Sequence, residues 1–251
     1  MELSGKVAVV TGGTRGIGRA IAAAFAAGGA QVAVIHNDSE PPQYIPCSHV
    51  SGKEERIVEL KGDISEAEQV RHCFGQIGER YARVDILVNC AGMTERLPLM
   101  HMNEASWERT IAVNLTGHYL CTKEAVKYMS SGGGGSIINV SSVRARRGYA
   151  CDSSYIAAKG GIEAFTRAMA VELAEYRIRV NCIAPGAIET DFNRERLQDL
   201  AIREKTIQSI PLARIGVPED VAGIAVFLAS EQSAYITGVT IPVDGGQMIK
   251  G

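Results

Sequence analysis

The segment Val7-Ala-Val-Val-Thr-Gly-Gly-Thr-Arg-Gly-Ile-Gly18 sets the architecture expected of everything after it. Its first half is a β-branched, apolar run of the kind that forms a buried strand. A helical stretch over 17–27 follows at once. Gly12, Gly16 and Gly18 permit a tight turn between the two. They also let backbone amides approach a pyrophosphate, whose charge the helix N-terminus favours. The spacing is Gly-x-x-x-Gly-x-Gly, not Gly-x-Gly-x-x-Gly. A glycine-rich turn by itself is often only a turn. Between a first strand and a first helix it points to nucleotide binding.

Outward from this turn, strand-like and helix-like segments alternate. Strands are expected at 7–11, 31–36, 56–61, 84–89, 136–141, 178–183 and 240–243. Helices are expected at 17–27, 66–80, 106–129, 218–230 and over a stretch carrying Tyr155 and Lys159 to about residue 176. This alternation implies right-handed βαβ units and a parallel sheet covered on both faces. The expected fold is a single α/β domain over 1–251, doubly wound around seven strands. Pro41, Pro42 and Pro46 forbid a helix between the second and third strands, so residues 39–53 read as an irregular crossover. Gly132–Gly135 joins a helix to a strand and reads as a tight turn, not a linker.

At 251 residues, 46% hydrophobic and 22% charged, the chain has the composition of a soluble globule with a sizeable core. A net charge of −2 gives no electrostatic case for nucleic acid or an anionic membrane. No apolar run approaches the ~18 residues of a membrane span. The N-terminus carries no signal pattern, so a cytoplasmic location is expected. Six scattered cysteines show no metal-binding spacing and read as reduced and mostly structural, with no metal site expected.

Tyr155 and Lys159 stand four apart in a helical run, so both side chains leave one face about a turn apart. A free tyrosine titrates near ~10, too high for efficient proton exchange at neutral pH. A lysine ammonium about 5 Å away, at an effective dielectric of ~20, would favour the phenolate by roughly 3 kcal/mol. Alone, the pair is weak evidence, since Tyr-x-x-x-Lys occurs by chance in many helices as a packed ring beside a solvated amine.

Together with Asp63-Ile64, Asn89-Cys-Ala-Gly92, Asn114, Ser142 and Pro185-Gly186, the chain resembles the short-chain dehydrogenase/reductase family over essentially its whole length. Ser142 falls thirteen residues before Tyr155, as that family requires. The resemblance implies a Rossmann fold and metal-free hydride transfer between a nicotinamide and a carbonyl or alcohol carbon. It implies Tyr155 as proton donor or acceptor and Lys159 as the cation that acidifies it and binds the nicotinamide ribose. Ser142 would hold the substrate oxygen, and Asn114 would bend its helix and hold a water linking Lys159 to solvent. For the dinucleotide it implies the turn of Gly12, Thr14, Arg15, Gly16, Ile17 and Gly18. Asp63 and Ile64 would meet the adenine, and Asn89, Ala91 and Gly92 the adenosine ribose. Pro185, Gly186, Ile188 and Thr190 would hold the carboxamide, and 188–215 is a candidate lid. A non-catalytic redox sensor or scaffold is the reading of another class. The presence of Asn114, Ser142, Tyr155 and Lys159 together argues against it.

The usual acidic position at the end of the second strand is His36. Arg15, His36 and Asn37 offer donors to a 2′-phosphate, which favours NADP(H). Asp38 keeps NAD(H) open, because a shift of one or two residues would bring its carboxylate to the ribose. The expected substrate is a small ketone, polyol or sugar. The alternative is the 3-oxoacyl chain of an acyl-carrier protein, although the positions where basic docking residues would fall are Gly133 and Tyr176. Arg144, Arg146, Arg147 and Arg177 could substitute, or the first three could hold an anion on a small substrate, or be ordinary surface charge. By resemblance, a homotetramer is expected.

Overall fold

The computed structural model describes residues 2–39 and 56–250. Strands β1 (Val7–Thr11), β2 (Gln31–His36), β3 (Ile57–Lys61), β4 (Ile86–Asn89), β5 (Gly135–Val140), β6 (Ile178–Pro185) and β7 (Thr240–Val243) form one sheet in the order β3-β2-β1-β4-β5-β6-β7. Every pairing is parallel, for example Val9 with Ala33 and with Leu87. The doubly wound seven-stranded expectation therefore holds. The proline-rich crossover at 39–53 lies, from residue 40 on, outside the described residues.

Strand side chains alternate between faces, and the sequence feeds both. Ala8, Val10, Val32, Val34, Ile86, Val88 and Ile138 point to one core, beneath α1 (Gly16–Ala27) and α8 (Pro218–Ala229). Val9, Ala33, Ile35, Leu87 and Ile137 point to the other. That second core lies beneath α2 (Ala67–Tyr81), α4 (Gly117–Ser131) and α5 (Ser153–Glu172). This double burial is why the strands read as unbroken apolar runs. Strand β3, at the sheet edge, is only half-buried.

Two helical expectations are corrected. The helix expected at 106–129 is α3 (Glu104–Ile111) and α4, joined through a π-helical turn, Ala112–Thr116. Residues 188–215, given no helix by the sequence, contain α6 (Arg194–Leu197) and α7 (Leu200–Gln208). Helix α7 is weakly amphipathic, and Asp199 caps it by accepting from Ala201 N and Ile202 N. The glycine turn before β5 behaves as expected. Gly133 and Gly134 have φ of 91° and 126°, a conformation other residues rarely adopt.

Candidate active site

The strand order reverses between β1 and β4, and open parallel sheets take ligands beside the carboxyl ends of strands at such a point. The turn after β1 is built for close backbone approach. Gly12 and Gly16 have φ of 66° and 53°. A Cβ on Gly12 would lie 2.8 Å from Ala91 Cα, and one on Gly18 would lie 2.3 Å from Gly12 O. Thr11 Oγ1 ties the same turn to the one after β4 by accepting from Cys90 N (3.0 Å) and Ala91 N (3.1 Å). Among the described residues, no side chain caps the first amides of α1. A glycine-lined, uncapped helix start suits a dinucleotide pyrophosphate.

Around this cradle the adenosine side is partly as expected. Asp38 accepts from Thr14 Oγ1 (2.5 Å) and pairs with Arg15 (3.0 Å). Arg15 and Asp38 are therefore one unit, not rivals. Asp63 accepts from Ser65 N, Ser65 Oγ and Asn37 Nδ2. Burial raises the Asp63 carboxyl, but these hydrogen bonds prevail and hold it below its ordinary value. Ile64 is buried against Gly117.

Two residues expected at the dinucleotide are buried. His36, at the end of β2, is 7% exposed. Asn89 is fully buried and turned into the core, where its Nδ2 donates to Asn139 Oδ1 (2.9 Å) and Thr122 Oγ1 (3.1 Å). Asn139 Nδ2 continues to Thr166 Oγ1 (2.9 Å), so this side-chain network links β4, β5, α4 and α5. Ala91 and Gly92 do line the turn beside Gly12 and Lys159. At the end of β6, a Cβ on Gly186 would lie 2.7 Å from Asp244 Cβ. Ile188 bridges to Gly216, and a Cβ on Gly16 would lie 3.3 Å from Thr190 Cγ2.

The proton-handling residues come together. Ser142 follows β5, its hydroxyl accepts from Arg144 N (3.2 Å), and it is near enough to act on the Tyr155 phenol. Lys159, one turn along α5, is buried and donates from Nζ to Val140 O (2.8 Å). Asn114 sits in the π turn, consistent with the expected local distortion of its helix. Its Nδ2 donates to Met93 O (2.8 Å) and Thr110 O (2.9 Å), and its Oδ1 accepts from Met93 N (3.2 Å). It thereby holds the turn after β4 against Lys159, since a Cβ on Gly92 would lie 2.7 Å from Asn114 Oδ1 and 3.5 Å from Lys159 Nζ. His118, which the sequence did not flag, supports that turn by donating from Nε2 to Ala91 O (3.0 Å). Burial, and secondarily the Lys159 charge, depresses His118 to about 3, so its ring is neutral.

The expected electrostatics need correction. Burial raises the Tyr155 phenol above its ordinary range, and it is the Ser142 hydrogen bond and the charges of Arg144 and Arg96 that pull against the rise. Lys159 Nζ lies 5.8 Å from the Tyr155 ring centroid. Burial lowers Lys159 itself to about 8. The acidifying cations of this arrangement are thus arginines outside the Tyr-x-x-x-Lys pair. Nearby thiols are weak acids, since burial pushes Cys90 and Cys182 up to about 11.

A stability prediction follows from Lys159. Because folding lowers it from 10.5 to about 8, the unfolded chain binds the extra proton between those values. Stability due to this group therefore rises from pH 8 towards 10.5. Below pH 8 the buried ammonium costs about 3 kcal/mol on this scale. Lys159→Met, which also orphans Val140 O, is expected to be about 1–3 kcal/mol more stable at pH 7, with the advantage shrinking above pH 8. Urea midpoints measured from pH 6 to 10 check this. A difference independent of pH would contradict it.

The arginines after Ser142 are also accounted for. Arg144 pairs with buried Asp152 and stacks over Tyr149 at 4.6 Å. Arg146 pairs with Glu163 (2.8 Å). Arg147 donates to the carbonyls of Gln247 (2.9 Å) and Lys250 (3.3 Å). The sequence reading missed Arg96, which approaches Asp152 from the segment after β4 (3.3 Å).

A parallel sheet, an anion cradle at its reversal point and a Ser–Tyr–Lys cluster beside it define a nucleotide-dependent oxidoreductase. Residues 12–248 match the family described as enoyl-(acyl carrier protein) reductase. The chain is 41% identical over 246 residues to a 3-oxoacyl-(acyl-carrier-protein) reductase of Chlamydia pneumoniae, covering 98% of each. It is 36% identical over 248 residues to an L-rhamnose 1-dehydrogenase (NAD(P)(+)) of Sphingomonas sp. strain SKA58, again covering 98% of each. A gluconate 5-dehydrogenase of Burkholderia cenocepacia J2315, solved in complex with NADP and tartrate, superposes with a TM-score of 0.91. It shares 31% identity, over 99% of this chain and 97% of its own. The chain belongs to the short-chain dehydrogenase/reductase family, whose members act on alcohol and ketone groups with NAD(P). No helix among the described residues is long and apolar enough to cross a membrane.

Proposed function

We propose that this chain transfers a hydride reversibly between NADP(H) or NAD(H) and the carbonyl or secondary alcohol of a small molecule, a ketone, polyol or sugar. The observation that carries this reading is the meeting of Tyr155, Ser142 and Lys159 beside the glycine-lined start of α1. The nicotinamide, when bound, supplies or accepts the hydride. Tyr155 gives its phenolic proton to the substrate oxygen in reduction and takes one in oxidation. Ser142 donates to that oxygen where negative charge develops. Lys159 lies at the ribose side, and Asn114 positions it through the turn at Gly92 and Met93. Residues 188–215 act as the lid, with Phe192 inclined against Tyr155 at 6.4 Å between ring centroids.

The test is a panel of ketones, polyols, aldoses and acyl thioesters, each assayed with both nucleotides by absorbance at the nicotinamide band. Absence of turnover across the panel would sink the reading. Acyl thioesters belong in it because the Chlamydia pneumoniae relative supports a second reading, 3-oxoacyl-(acyl-carrier-protein) reduction. Against that reading, Gly133 and Tyr176 bring no charge to a docking face, and Arg146 and Arg147 are engaged within the chain.

NADP(H) remains the favoured nucleotide, with the Arg15–Asp38 pair as the selector. Arg15 is 63% exposed and reaches a 2′-phosphate only by leaving Asp38, whose carboxylate repels that phosphate. Asp38→Asn is therefore expected to raise the ratio of kcat/KM for NADP(H) over NAD(H) by about 10-fold or more, one charge pair near a surface being worth a few kcal/mol at most. An unchanged ratio would remove Asp38 from nucleotide choice.

A homotetramer is the proposed assembly. Tyr119 on α4 and Val171 on α5 are exposed, as are Tyr235 and Ile249 towards the β7 end, which suits faces covered by further copies. Sedimentation at micromolar concentration yielding only particles of 26.8 kDa would refute it.

A further inference from the structure

We propose that Arg96 and Arg144, set by the buried carboxylate of Asp152, form a carboxylate-recognition subsite beside Tyr155, so that the preferred substrates are short hydroxy or oxo acids. This rests on the Tyr155 reading above and names the substrate class of that site. Asp152 is 1% exposed, and a buried carboxylate is retained only where cations compensate it. Here two converge on it, Arg96 from the segment after β4 and Arg144 from the segment after β5. Two positive charges against one negative leave the group cationic.

The donors are only partly used. Arg144 spends one terminal nitrogen on Asp152, and Arg96 only pairs with it, its Nε 3.3 Å from an Oδ1 that accepts no hydrogen bond among the described residues. Among the described residues, the other guanidinium N–H groups of both have no partner. Both side chains are partly open to solvent, Arg96 by 36% and Arg144 by 21%. Stacking on Tyr149 fixes the plane of the Arg144 guanidinium. A planar fork with unspent donors matches a carboxylate in two-point contact.

Position links this group to the chemistry. Asp152 stands at the start of α5, three residues before Tyr155, and Arg144 N donates to Ser142 Oγ (3.2 Å), so an anion held by the two arginines lies near the atom that exchanges a proton there. Arg196, on α6, is close enough for its charge to act on Arg144, which adds to the positive field. Cys151, immediately before Asp152, has a φ of 65°, rare for a residue with a side chain. Such strain persists where the surrounding structure requires it.

The experiment compares aldonates of four to six carbons with the alditols of the same carbon chains, using the full chain and NADP. In addition, tartrate binding to the enzyme in the presence of NADP is followed by calorimetry, which needs no turnover. Wild type is expected to favour the acids in kcat/KM by ~100-fold, and Arg96→Gln or Arg144→Gln to cut that ratio by ~10-fold or more, mainly through KM. Tartrate Kd should rise by ~10-fold in the same variants, with Arg144→Lys intermediate because it keeps charge but loses the fork. Arg71→Gln, on the far surface of α2, serves as the unaffected control. Should Arg144→Gln fail to fold, Arg96→Gln and Arg144→Lys carry the comparison. Equal use of acids and alditols by wild type, or an unchanged tartrate Kd in the arginine variants, would overturn the proposal. Failure of the Tyr155 reading looks different: Tyr155→Phe would keep full turnover, while tartrate binding would still report on the arginines.

Discussion

Tyr155→Phe is expected to lower kcat by about 10³-fold while changing nucleotide affinity by no more than about twofold, the range that positioned proton transfer usually supplies. The substitution removes one oxygen and keeps the ring beside Phe192, so the cleft wall and the fold persist. What disappears is the hydroxyl proposed to exchange the substrate proton. The pH profile of wild type carries the same signature. Burial raises the phenol, so reduction, which needs the protonated form, holds its rate through neutral pH. Oxidation, which needs the phenolate, should climb with pH until the phenol is ionised. Steady-state rates in both directions and nucleotide binding by fluorescence check this. A phenylalanine variant retaining more than a tenth of wild-type turnover would mean another group moves the proton, and a scaffold would show no loss of its effect at all.

Gly18→Ala is expected to weaken dinucleotide binding by at least ~100-fold and to destabilise the domain by about 2–4 kcal/mol, as for an unrelieved clash in a packed interior. The added methyl would sit 2.3 Å from Gly12 O and 3.1 Å from Gly13 Cα, all backbone atoms that no rotamer change can move aside. Relief requires opening the turn between β1 and α1, the proposed pyrophosphate cradle. Gly75→Ala gives the contrast. Nothing lies within 4 Å of its Cβ, and it stands inside α2, so alanine should add about 0.5–1 kcal/mol through helix propensity alone. Thermal and urea denaturation of the two variants would separate these outcomes. A Gly18→Ala protein that binds nucleotide normally would show that the turn is not the cradle.

Most strands were readable because burial on both faces leaves an unmistakable apolar run, as at 7–11 and 31–36. The clustering of Ser142, Tyr155 and Lys159 was readable because their spacing along one helix and one strand end is itself the geometry. The helical segment at 188–215 was not. Helix α7 has no buried residue and scarcely any apolar face, so periodicity carried no signal. The setting of Asn89 was hidden for a related reason. It ends a strand at the carboxyl edge, yet its side chain turns into the core, and strand-end position does not say which way it turns.

Local chemistry along the chain was enough to determine the parallel sheet, the glycine cradle and the Tyr155–Lys159 pair, since each depends on residues close in number or on simple alternation. The charges around Tyr155 were decided only in three dimensions. Arg96, Arg144 and Asp152 come from two separate strand ends and the start of α5, and their meeting depends on β4 lying beside β5. Burial then reverses the expected electrostatics, because removing water penalises the phenolate and the lysine ammonium alike, and no spacing rule contains that desolvation.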